Sequence, residues 1–142
     1  MKTVFRDKYL IVVHKPSGMT VYGDTSPGEK SAYDILKSSL RLDHLYPVHR
    51  LDKGTCGLVM FAFDPKVAAL LERDFREGKI KKNYWALVFG ETPNKGMSQE
   101  PLMANKTKKK QSALTRFKRL GVADVNEEFI SWVECQPETG RY

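Results

Sequence analysis

The chain has 142 residues, 41% of them hydrophobic and 29% charged, which suits one domain with its own core and argues against general disorder. Lys and Arg number 24 against 17 Asp and Glu, and the resulting net charge of +7 favours a polyanionic partner, of which nucleic acid is the commonest. No apolar run reaches the roughly 18 residues a membrane span needs, and Met1-Lys2-Thr3-Val4-Phe5-Arg6-Asp7 has no signal-peptide pattern.

In chain order, Tyr9 to Val13 reads as a short β-rich run, ended by the turn chemistry of Lys15-Pro16-Ser17-Gly18. Met19 to Tyr22 continues as an extended segment. Ser26-Pro27-Gly28-Glu29 reads as a capping box with proline at the first helical position, opening a helix that carries Ala32, Tyr33, Ile35, Leu36 and Leu40 to about Leu40. Leu45 to Arg50 leads into a turn, and Leu58 to Phe63 is the strand that leaves it. Asp64-Pro65 caps a second helix with Val67, Leu70, Leu71 and Phe75 on one side and Gly78 as its stop. Ile80 to Phe89 is a strand in which Tyr84 and Trp85 point to opposite faces, and this alternation assigns Trp85 to the core.

Residues 97–111 show no period, and Lys106, Lys108, Lys109 and Lys110 make a basic cluster there. Ser112 to Leu120 and Glu128 to Cys135 read as two strands, followed by a closing turn at Pro137-Glu138-Thr139-Gly140-Arg141-Tyr142. No internal repeat and no linker divides the chain. Strands outnumber helices and their connections are short, so the fold class is α+β, with a mixed, mostly antiparallel sheet flanked by helices. Cys56 and Cys135 form no C-x-x-C, and His14, His44 and His49 complete no zinc spacing. The expectation is a reducing cytoplasm and no metal.

The chemistry concentrates in Pro47-Val48-His49-Arg50-Leu51-Asp52-Lys53-Gly54-Thr55-Cys56-Gly57, just before an apolar strand. Its glycines suggest positive φ or close approach of another group. Asp52, held between basic neighbours, is either a solvated loop carboxylate or a poised one. Arg50, two residues earlier, shares its face in an extended segment and can pair with it.

The string His49-Arg50-Leu51-Asp52-x-x-Thr55-x-Gly57 resembles the central motif of the RluA-type RNA pseudouridine synthases. Residues 5–18 are similar to that family's opening strand and turn, and Lys82-Asn83-Tyr84-Trp85-Ala86-Leu87-Val88-Phe89-Gly90 to its tyrosine-bearing strand. The resemblance implies a long bent sheet with the active cleft across its middle, and isomerisation of uridine to pseudouridine in ribosomal or transfer RNA by a monomer without cofactor. It implies Asp52 as the catalytic carboxylate, Tyr84 against the target base, and Arg50 in the space left by the flipped-out uridine. His49 and Thr55 then support the turn. Lys15 and Lys53 contact phosphate or are simply solvated, and Lys108, Lys109 and Lys110 are the further RNA contacts expected.

Two positions depart from the family pattern: His14 stands where asparagine is usual, and Cys56 where serine or threonine is usual. Cys56 is expected to be buried and inert. Glu138-Thr139-Gly140-Arg141 looks like the start of the family motif T-G-R-x-H-Q-x-R, whose last arginine partners the aspartate. Residues 1–142 are accordingly expected to be a catalytic domain lacking its C-terminal portion and any N-terminal RNA-binding domain, marginally stable by itself. Two other functions are weighed: an RNA-binding module without catalysis, and a carboxylate hydrolase using Asp52 with Glu72, Asp74 or Glu77.

Overall fold

The computed structural model describes residues 1–23, 25–103 and 110–139, so Lys106, Lys108, Lys109 and Arg141 lie outside the described residues. The chain forms two compact units, Met1–Asp74 and Phe75–Tyr142.

In the first unit, strands β1 (Lys2–Arg6), β2 (Leu10–Lys15), β3 (Tyr46–Pro47) and β4 (Gly57–Ala62) form an antiparallel sheet of order β1-β2-β4-β3. β1 precedes the first strand expected from sequence and is an edge strand exposed along its length. Its turn into β2 is closed by Asp7, whose Oδ1 accepts from the backbone N–H of Tyr9 and Leu10, each at 2.8 Å. β2 alternates strictly, so Ile11, Val13 and Lys15 face inward. Across the ladder, Ile11 pairs with Phe61, Val13 with Val59 and Lys15 with Gly57. The four apolar members of these pairs are at most 1% exposed, and burying such side chains stabilises by about 1.5–3 kcal/mol each. Val21, Ala32 and Leu36, Leu45, Val48 and Leu51, Ala62 and Ala68 complete this core.

Helix α1 (Ala32–Ser39) starts later than the sequence suggested. Its capping box is Ser31 with Asp34: the Ser31 hydroxyl accepts from Asp34 N at 3.2 Å, and Asp34 Oδ2 accepts from Ser31 N at 3.0 Å. Ser26-Pro27-Gly28-Glu29 is instead a turn, with Glu29 N donating to Ser26 O at 2.9 Å and Gly28 at φ 86°. A proline-glycine pair suits a turn with positive φ at glycine better than a first helical turn, and that preference wins here. Helix α2 (Pro65–Arg76) follows the expected cap, since Asp64 Oδ1 accepts from Lys66 N at 2.7 Å.

In the second unit, β5 (Tyr84–Phe89), β6 (Lys95–Ser98), β9 (Thr115–Val125) and β10 (Glu128–Pro137) form an antiparallel sheet of order β5-β10-β9-β6. A short ribbon pairs β7 (Leu102–Met103) with β8 (Lys110–Gln111). β9 and β10 are joined through Asn126 and Glu127 at φ 54° and 67°, the geometry of a tight hairpin turn. Register puts Ser131, Val133 and Cys135 of β10 opposite Val88, Ala86 and Tyr84, while Ile130, Trp132 and Glu134 stand opposite Phe89, Leu87 and Trp85. The first of these faces is the covered one. Trp85, assigned above to the core, is 70% exposed, with Leu87 at 74% and Phe89 at 84%. Strand alternation had separated Tyr84 from Trp85 correctly, but the inward face is the one carrying Tyr84. Arg119 secures the turn before β6, donating to Glu91 Oε1 at 2.8 Å, Thr92 O at 2.6 Å and Asn94 Oδ1 at 2.8 Å.

Candidate active site

The Asp52 turn is held by backbone from both directions. Upstream, Val48 N donates to Met60 O at 3.1 Å, and His49 Nε2 accepts from Met60 N at 3.2 Å, so the approach to the turn is tied to β4. Within the turn, Thr55 N donates to Asp52 O at 3.0 Å. Downstream, Gly57 takes φ 144°, a conformation that side chains other than glycine's rarely adopt. Gly54, the other glycine of the turn, has neither a positive φ nor a close neighbour.

The turn after β2 then grips it from the side. Gly18 N donates to Lys53 O at 2.8 Å, and the Ser17 hydroxyl donates to Gly54 O at 2.8 Å. Gly18 reaches this position with φ 84°. The result is an exposed carboxylate, Asp52, on a turn whose backbone is bonded at several points. In contact with water, it avoids the desolvation cost that a closed cleft would impose.

The expected site residues fall into distinct places. Arg50 is exposed, and among the described residues no ion pair joins it to Asp52; its guanidinium lies over the Tyr22 ring, 5.8 Å from the centroid. A cation on a ring face keeps its N–H edge free for an incoming acceptor, which a carboxylate pair would occupy. Tyr22 was not singled out from sequence, because nothing local signals an aromatic that meets an arginine 28 positions later. Lys53 extends outward to Glu29 at 2.9 Å, both side chains about half exposed, and this hydrogen bond holds the Glu29 carboxyl below the usual carboxylate range.

Lys15 is a correction. Expected at a phosphate or in solvent, it is 0% exposed, and its Nζ donates to Met19 O at 2.7 Å, Pro16 O at 3.0 Å and Lys53 O at 3.4 Å. Burial lowers its pKa from the ordinary lysine value, while nearby Cys56 and Asp52 pull in the opposite direction. The signal was present in the period-2 pattern: Lys15 continues the inward row of Ile11 and Val13. Cys56 is a second correction, since its thiol is exposed. The turn is held by hydrogen bonds to its own main chain, from backbone and from the Ser17 and Lys15 side chains, and does not need the Cys56 side chain packed beneath it.

Tyr84 belongs to the second unit, half-buried on the covered face of β5 opposite Cys135. Burial, with Glu134 nearby, raises the Cys135 thiol above its ordinary pKa. Lys110 lies in β8. Asp74 and Glu77, weighed above as hydrolytic partners, sit near Arg73 at 3.9 Å and Lys79 at 2.7 Å respectively. Among the described residues no group of three or more His, Cys, Asp or Glu is placed to hold a metal ion, and no helix is long and apolar enough to cross a membrane.

Residues 9–142 match the model of the RNA pseudouridylate synthase family. The chain belongs to that family. It is 31% identical to tRNA pseudouridine synthase C of Pasteurella multocida, over 99% of this chain and 65% of that protein. It is 30% identical to the ribosomal large subunit pseudouridine synthase C of Buchnera aphidicola, over 97% of this chain and 46% of that protein. Among solved structures it superposes on human RNA pseudouridylate synthase domain containing 4 with a TM-score of 0.77 at 26% identity, covering 97% of this chain and 59% of that one. Human RNA pseudouridylate synthase domain containing 1 gives 0.79 at 21% identity, a likeness of fold. The chain thus spans 65% or less of the length of these relatives.

Proposed function

We propose that the chain carries the catalytic turn of an RNA pseudouridine synthase, isomerising uridine in structured RNA, ribosomal or transfer, in the cytoplasm. The reaction breaks the bond from N1 of uracil to the ribose C1′ and joins C5 to the same carbon, with the C5 proton released and a proton taken up at N1. It is redox-neutral, so protein side chains suffice. Asp52 supplies the carboxylate, as nucleophile or base. Arg50 and Tyr22 offer a cation and an aromatic face beside it to an unstacked base or its phosphate, and Tyr84 is assigned to the target base. The net charge of +7 supplies the attraction to RNA, with Lys53, Lys108, Lys109 and Lys110 as further contacts.

One observation carries this reading: an exposed aspartate on a turn fixed at several backbone points, in a chain of the pseudouridylate synthase family. The test is tritium release from RNA labelled at uridine C5, incubated with the protein and with Asp52→Asn. Release by the parent chain, its loss in the variant, and RNA affinity within a few-fold in both are expected. Substantial release by Asp52→Asn overturns the assignment, and RNA binding without release in either selects a binding module.

A further inference from the structure

The outer face of the second sheet carries a row of side chains that crosses all four strands. Trp85 of β5 stands opposite Glu134 of β10, Glu134 opposite Lys118 of β9, and Lys118 opposite Lys95 of β6. Residues paired in this way lie side by side on one face. Two positions along the strands, Gln136, Arg116 and Met97 make a second row; in the other direction Leu87 and Gly121 flank Trp132. The face is therefore aromatic towards β5 and basic towards β6. At the basic end Lys95, Met97, Arg116, Lys118, Glu134 and Gln136 line a cleft of about 500 Å³.

Two features of this face call for a ligand. Lys95 and Lys118 are directly opposite, an arrangement in which like charges destabilise a strand pair, and among the described residues neither has a carboxylate partner. Arg116 beside them has only the exposed pair with Glu138, which contributes little and can be exchanged for another anion. The second feature is aromatic. Both tryptophans of the chain lie here, set edge-on at 5.4 Å, and Trp85 is 70% exposed. Gly121, the neighbour of Trp132 on β9, has open space where a side chain would stand. Open rings beside a track of cations suit a single-stranded nucleic acid, whose bases stack on the rings while its phosphates meet the charges. Glu134 sits between the two zones, where a carboxylate repels phosphate and accepts from a base N–H. It orients the strand with bases towards Trp85 and backbone towards Lys118 and Lys95. Strand spacing of about 4.8 Å puts Lys95 roughly 14 Å from Trp85 along the row, so the contact extends over more than one nucleotide.

We propose that this face is a second RNA contact: a platform for a single-stranded segment whose bases stack on Trp85 and Trp132 and whose phosphates follow Lys118, Lys95 and Arg116. It rests on the reading of the chain as one that acts on RNA. Tyr84 lies on the opposite face of β5, so the segment held here is a stretch flanking the target uridine, and the platform selects the substrate. Binding made equally in the ground and transition states changes KM and leaves kcat alone.

The experiment uses an oligouridylate of about twelve nucleotides, within the usual site size of such platforms. Because both tryptophans lie on this face, their fluorescence reports its occupancy, while anisotropy of end-labelled oligouridylate gives Kd over a range of salt. The parent chain is compared with Lys95→Gln/Lys118→Gln, with Trp85→Leu, and with Lys2→Gln/Lys66→Gln, the same change of charge at exposed sites of the first unit. Binding should quench the tryptophans. In Lys95→Gln/Lys118→Gln, Kd should rise at least tenfold and the slope of log Kd against log salt should fall by about 1.4, or roughly 0.7 for each lost phosphate contact. Trp85→Leu should weaken binding at least fivefold with the slope unchanged, and Lys2→Gln/Lys66→Gln should stay within threefold of the parent. For tritium release from labelled RNA, KM should rise at least fivefold in the first two variants with kcat within twofold. Oligouridylate that binds without quenching, or equal effects of the two lysine pairs, overturns the proposal. So do tryptophans shielded from acrylamide in a dimer without RNA, which would show that a second copy covers the face. No release by the parent chain, with quenching and slope as expected, overturns the catalytic reading and leaves the platform standing.

Discussion

The two units use the same device, an antiparallel sheet with alternating side chains, and reach opposite outcomes. Among the described residues thirteen apolar side chains are buried, and twelve of them lie in the first unit; Val133 alone represents the second. In the first, the inward row of β2 and β4 is packed shut. In the second, one face of the sheet is half-covered, while Trp85, Leu87 and Phe89 meet water, with Trp132 at 42% exposure set edge-on against Trp85 at 5.4 Å. A contiguous apolar strip of that size is unusual on a soluble surface. The comparison separates two things strand alternation implies: that a sheet has two faces, and that something covers the apolar one.

The largest expected effect tests that contrast directly. Phe61→Ala, emptying a site with 0% exposure, should cost about 3–5 kcal/mol, whereas Phe89→Ala at 84% exposure should stay within about 0.5 kcal/mol. Urea unfolding of both variants measures it. Equal losses would show that the open face of the second sheet is covered in solution.

Next in size is the polar anchoring of the second unit. Arg119→Met removes the donors to Glu91, Thr92 and Asn94 and should cost about 1–3 kcal/mol. Arg116→Gln, which breaks only the exposed pair with Glu138, should fall below about 1 kcal/mol. If the two substitutions cost the same, the turn before β6 does not depend on Arg119.

A smaller effect, of about 1 kcal/mol, is expected for Ser31→Ala at the α1 cap. Its pH dependence has a definite sign. Hydrogen bonds from Ser31 hold the Asp34 carboxyl below its ordinary value of 3.8, so the folded state favours the ionised form. That contribution is complete above the unfolded value and is lost as pH falls through the lower folded one. Melting temperatures of the parent chain and Asp34→Asn from pH 6 to 2 should converge towards the acid end. Parallel curves would show that the capping box contributes nothing.

The smallest effect on stability accompanies a change in association. Leu87→Lys should leave the melting temperature almost unmoved while reducing light scattering at high concentration, because it breaks the apolar strip without touching a packed residue. Scattering that does not respond would place any self-association elsewhere on the molecule.

Read alone, the sequence determined what depends on neighbours along the chain. The α+β class, the turn at Asp52, the strand that leaves it and the cap at Asp64 all follow from turn chemistry, capping and alternation, which act over a few residues. The cap of α1 was missed even at this range: Ser26-Pro27-Gly28-Glu29 matches the capping-box pattern but folds as a turn, and the box that forms is Ser31 with Asp34. What tertiary structure alone decided involves partners far apart in sequence. The buried Lys15 finds the carbonyl of Lys53, Tyr22 takes the guanidinium of Arg50, and the packing of the second sheet leaves Trp85 in water. In each case the side chain's surroundings depended on which distant segment the fold brought against it.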